Sequence, residues 1–216
     1  MSEPESLATI EGLDEHVRRH SYDRLLMLSD GIFAIATTLA ALDVRIPTHA
    51  DSFRALLVGS QRSLIAYGLS FLVTGVFWLN HRNLFARLRR VDTALTAMTL
   101  AMLGLIALIP ATIRTLYLEE GGHSGLRLYG LTMCTCGIVS TAMWCYASFR
   151  PGLMHASIDR RERWTRILAT IGLPICCLPV VVMPDGNFVG AMLPLLVAMV
   201  LVRRVVLPKL MPRTAG

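Results

Sequence analysis

The sequence predicts an all-α integral membrane protein built from six transmembrane helices. Three features of the chain point there. Of its 216 residues 54% are hydrophobic and only 17% charged, too few charges to cover an ordinary soluble domain. The apolar residues fall in six blocks, 24–46, 60–82, 93–115, 126–149, 165–184 and 187–207, each near the about 20 residues a spanning helix needs. The basic residues alternate between the two ends of those blocks. Sixteen of the 21 fall before or at the start of the first block, between the second and third, between the fourth and fifth, and at or after the end of the sixth. The opposite connections hold Arg45, Arg54, Arg62, Arg114 and Arg127. Basic residues concentrate on the cytoplasmic side, so both termini are expected there, and an even number of spans requires both on one side.

The first block runs through "RLLMLSDGIFAIATTLAALDVRIP", Arg24 to Pro47. The residues ahead of it are polar and mixed in charge, with no small-residue cleavage pattern after the block, so this span is expected to stay in the mature chain. The second element opens on "DSFRALLVGSQRSLIAY", whose polar residues are expected either to extend into the aqueous face on the arginine-poor side or to lie at the interface there. It closes on "FWLNHRNLFARLRR", where Trp78 and the arginines beyond it mark the interface. Asp92-Thr93 is a plausible cap for the third helix, which is expected to end near Pro110–Arg114. "EEGGHSG" has the composition of a loop before the fourth helix. The fifth carries Pro174 and Pro179, and its interior prolines predict a kink. "PDGN", Pro184 to Asn187, predicts a tight turn into the sixth. The short connections leave no room for a separate soluble domain. The expected organisation is a cytoplasmic segment 1–23, one six-helix domain 24–207 and a cytoplasmic tail 208–216.

Several function classes are disfavoured. The net charge of +6 is spread over the connections at one end, as membrane orientation demands, so nucleic acid is not the expected partner. The five cysteines lie inside apolar blocks with no CxxC pair and no histidine at zinc-ligand spacing, which reads as small buried hydrophobes. No metal or cofactor is expected. No nucleophile elbow, HExxH or paired-carboxylate motif is present, so an enzyme is not expected. The chain shows no internal repeat, so a pore on a symmetry axis would need several copies.

The residue that demands an explanation is Asp30. An unpaired acid in hydrocarbon costs on the order of 3 kcal/mol, so it must be paired or face water. Six residues separate it from Arg24, placing it about 9 Å inward from the membrane edge. The second span, running the other way, brings Trp78 and His81 to the same level on one helix face. An Asp30–His81 contact is therefore expected, with Arg24 and Ser29 nearby and Trp78 on the same face as His81, either as a polar clamp locking the first helix to the second or as a proton relay or substrate-binding acid. On another face Ile35, Leu39 and Leu42 make an apolar stripe, with Thr38 beside it. Such stripes usually face lipid or core, and hydrophobic constrictions also gate channels by dewetting. A proton-coupled transporter using Asp30 is the alternative from a different class.

"RLLMLSDGIFAIATTL" resembles the Arg-x-x-x-Phe-Ser-Asp signature of the transmembrane protein 175 family through Arg24, Ser29 and Asp30. "FWLNHRNLF", Phe77 to Phe85, resembles that family's Trp-x-x-His segment. Leu28 stands where the family usually has Phe, keeping the apolar character and losing an aromatic ring. The resemblance implies a potassium-selective channel without a TVGYG filter, in a prokaryotic cell membrane. It implies a homotetramer with helix 1 lining a central pore, potassium as the permeant ion, Ile35, Leu39 and Leu42 as pore positions with Thr38 near the narrowest point, and the polar network at Arg24, Ser29, Asp30, Trp78 and His81.

Overall fold

The computed structural model describes residues 3–42, 44–49, 51–115 and 122–183. Within them lie five helices: α1 Glu3–Leu42, α2 Phe53–Phe85, α3 Thr93–Thr115, α4 Gly122–Phe149 and α5 Arg160–Val182. Each contains a stretch long and apolar enough to cross a membrane. The expected turn at 184–187, the sixth span at 187–207 and the tail at 208–216 lie outside the described residues.

Three boundaries differ from the sequence expectation. The first helix begins at Glu3 rather than near Arg24, because a loss of hydrophobicity marks the edge of a membrane and not the end of a helix. Pro4 sits in the first turn, where its missing N–H has no partner to lose. The same helix stops at Leu42, short of Ile46, since Pro47 restricts the residue before it to extended backbone. The fourth helix already includes Gly122–Gly125 of the segment expected to be a loop. The third helix begins at Thr93 with Asp92 as its cap, the Leu95 N–H donating to Asp92 Oδ1 at 2.9 Å. The second is capped by Ser52, whose hydroxyl accepts from the Ala55 N–H. The fifth continues through Pro174 and Pro179.

The packing order follows from where small and large residues fall. α1 lies against α2 and α3, α3 also against α4, and α4 against α5. The best-buried apolar side chains are Leu95, Ile106 and Ile109 on α3, Trp144 on α4 and Phe85 at the end of α2. The α4–α5 seam is made close by glycine. A Cβ on Gly137 would fall 2.4 Å from Pro174 Cδ, and one on Gly130 2.8 Å from Val180 Cγ1. These two glycines are seven residues apart and so share a face.

The arginine-rich end is tied by its connections. Leu88 and Met154 form an isolated antiparallel bridge. The Arg89 N–H donates to Leu153 O at 2.7 Å, and the His155 N–H to Arg87 O at 3.1 Å. Gly152 supplies the positive φ of 77° that this turn requires. Arg87 pairs with Glu162 at the start of α5, and the Tyr146 hydroxyl of α4 donates to Asp92 Oδ2 at 2.6 Å. Burial pushes the Asp92 carboxyl up, but the Tyr146 and Leu95 hydrogen bonds and the nearby Arg150 outweigh it and leave the group below its ordinary value.

Candidate functional site

α1 has two unlike faces. Leu25, Ser29, Phe33, Ala36 and Ala40 are buried. Their three- and four-residue spacing makes a stripe, and its small members let α1 approach its neighbours closely. Turned away from it are Ile35, Leu39 and Leu42, 58, 47 and 80% exposed in the single chain, with Thr38 also exposed. Thr38 spends its hydroxyl on the carbonyls of Ala34 and Ile35 within its own helix. Leu28 lies on the same exposed side. The four pore candidates therefore share one uncovered surface.

The polar candidates assemble only in part. The Trp78 indole N–H donates to Asp30 Oδ1 at 2.8 Å. That bond crosses from α2 to α1, and the Arg82 guanidinium lies over the same indole at 5.4 Å. His81, expected beside Asp30, is close enough for the Asp30 charge to act on it but packs between aromatic rings. Its centroid is 4.3 Å from that of Phe85 in a stack and 5.6 Å from that of Phe33. Tyr22 extends the cluster, its ring against Phe85 and its hydroxyl donating to Phe85 O at 2.8 Å. Ser29 is fully buried, but its hydroxyl donates to Leu25 O within α1 and, among the described residues, joins no other helix. Arg24 is exposed on the outer side of α1. Among the described residues the tie between the first two helices is thus two hydrogen bonds, Trp78 to Asp30 and Tyr22 to Phe85 O, with an aromatic wedge beside them.

Asn80 was missed in the sequence. Two residues from Trp78, it points to the other side of α2. It accepts from the Trp144 indole at 3.2 Å, and its amide donates to Ser140 Oγ at 2.6 Å. The run Trp78-Leu79-Asn80-His81 therefore reaches α1 on one side and α4 on the other. An asparagine amid apolar residues near a span's end was the available signal, since a polar group there needs a partner. Asp30 and Trp78 also border an apolar cavity of about 530 Å³ between α1 and α2, walled by Phe33, Phe71, Leu72 and Leu79.

The endosomal/lysosomal potassium channel TMEM175 family model matches residues 24–110, from the first arginine of the signature to the proline of α3. A potassium channel of Streptomyces collinus is 36% identical over 163 residues, covering 70% of this chain and 79% of the relative. The endosomal/lysosomal proton channel TMEM175 of Danio rerio is 26% identical over 171 residues, 76% of this chain but 33% of that longer protein. The crystal structure of a lysosomal potassium-selective channel TMEM175 homolog from Chamaesiphon minutus is similar with a TM-score of 0.63 at 24% identity. That likeness covers 86% of this chain and 100% of that one, and it speaks for the fold.

Proposed function

The chain belongs to the endosomal/lysosomal potassium channel TMEM175 family, and from that premise we propose that it is a potassium-selective cation channel whose pore is lined by α1. Four copies surround one axis. In each, Ile35, Leu39 and Leu42 face the axis as stacked apolar rings, with Thr38 close to the narrowest level. The observation that carries this is the division of α1 into a buried stripe and an uncovered one, with Asp30 bonded to Trp78 between them. The bond fixes the rotation of α1, and the rotation aims the stripe.

The chemistry follows from the rings. An apolar neck a few ångströms wide is dry when closed and holds a barrier against ions without any moving plug. Widening it by moving α1 lets potassium through with part of its hydration shell. Potassium gives up water more readily than sodium, so the same neck favours it. The membrane is a prokaryotic cell membrane, a reading supported by the Streptomyces collinus relative, and both termini are cytoplasmic, a reading supported by the arginine distribution. The test is the reversal potential of the purified protein in liposomes under opposed potassium and sodium gradients. The expected value lies toward the potassium equilibrium potential. A value midway between the two sinks the selectivity proposal.

A second reading has its own support. Asp30 is exposed and borders the α1–α2 cavity, and the Danio rerio relative is named a proton channel. If Asp30 carries protons, Asp30→Asn abolishes a pH-driven current and leaves the potassium current and the assembly intact. Loss of assembly in that variant supports the clamp instead.

A further inference from the structure

At the arginine-poor end of the bundle a cavity of about 150 Å³ opens between the exit of α1, the first half of α2 and the end of α3. It is far larger than the ~10–15 Å³ that one ordered water requires. Of the five basic residues that the sequence places at this end, three line it: Arg45, Arg62 and Arg114. No acidic side chain is among the described residues lining it. Ser63, Tyr67 and Ser70 add hydroxyls. Ser70 is 1% exposed, and its Oγ has no hydrogen-bond partner. A buried hydroxyl without a partner is costly, and this one borders a space that could supply an acceptor.

We propose that this cleft is a binding site for a phosphate ester, held by the Arg45, Arg62 and Arg114 guanidiniums and the Ser70 hydroxyl. Guanidinium forks match phosphate oxygens in geometry as well as charge. Depth selects the source. Twenty residues separate Arg62 from Arg82 on α2, about 30 Å of helix and the thickness of the hydrocarbon core. Arg114 lies a similar rise from Thr93 on α3. Both therefore sit at headgroup level on the side opposite Arg82, where the phosphodiester of a lipid lies. An anionic lipid seated there would bridge the end of α1 to α2 and α3.

The experiment is native mass spectrometry of the purified full chain, titrated separately with phosphatidylglycerol, phosphate-free diacylglycerol and inorganic phosphate. Phosphatidylglycerol is expected to bind in preference to diacylglycerol. The R45Q/R62Q double variant is expected to bind it at least about tenfold more weakly, the loss that removing one charge-assisted partner entails. R62K keeps the charge but not the fork and is expected to fall between the two while retaining the helical circular dichroism of the parent. R54Q, altered at an arginine of the same end outside the cleft, is expected to bind like the parent. Binding of inorganic phosphate with the same variant dependence, and none of the lipid, assigns the site to a soluble phosphate. Equal binding by R45Q/R62Q and parent, equal weakening by R54Q, or no binding of either phosphate probe overturns the proposal.

Discussion

Among the described residues Asp30 is stabilised in its span by one donor, the Trp78 indole at 2.8 Å. Trp78→Phe removes that donor while keeping most of the ring. It is expected to lower stability by about 1.5 kcal/mol, the low end for a bond to a charged group because the carboxylate is exposed. Thermal unfolding in detergent measures this. Asp30→Asn keeps an acceptor and should lose less. If the bond sets the rotation of α1, Trp78→Phe also moves the reversal potential, which loss of stability alone would not do. The sequence placed Trp78 and His81 at the right depth and on one face, with His81 close enough for the Asp30 charge to act on it, but did not show that Trp78 is the one that donates to the acid. Three residues are one helical turn, so spacing cannot choose between them. The choice is made by Phe33 and Phe85, which hold the His81 ring between them. The partners of Asn80 were illegible for a related reason: Trp144 and Ser140 lie some 60 residues away on α4.

Among the helices, the α4–α5 seam and the cap of α3 are the most exposed to test. Gly137→Ala drives a methyl into Pro174 on the facing helix. Overpacking of this kind costs about 1–3 kcal/mol, read as a fall in unfolding temperature. The Asp92 cap predicts a pH dependence. Its carboxyl titrates below the ordinary value in the folded chain. Its contribution is therefore complete above about pH 3.9, the unfolded value, and is lost as pH falls through the lower folded value. Asp92→Asn should flatten that acid limb of stability against pH. The start of α3 and its capping residue were legible in the sequence, because a cap is local chemistry. The start of α1 at Glu3 was not, since the polar residues ahead of Arg24 form helix as readily as loop.

At the scale of the whole molecule, the described residues leave a large apolar surface uncovered, including the Ile35, Leu39 and Leu42 stripe and, on α2, Leu72, Val76 and Leu79. Lipid covers part of it. The proposed tetramer covers the rest, and native mass spectrometry should then find four copies of the 23.8 kDa chain. In that assembly Leu39→Ala widens the neck and should raise conductance and reduce the preference for potassium. Wild-type currents from both Leu39→Ala and Ile35→Ala would remove the stripe from the pore. The sequence by itself determined a chain of membrane-spanning helices with a polar level near Asp30, because hydrophobic block length and charge placement act on each segment alone. It also carried the family, through Arg24, Ser29, Asp30, Trp78 and His81. Only the tertiary structure decided that Trp78 holds Asp30, that Asn80 reaches α4, and that Arg45, Arg62 and Arg114 share one cleft. Those are contacts between segments far apart in the chain. They depend on which helix packs against which and at what rotation, and no periodicity within one helix encodes that.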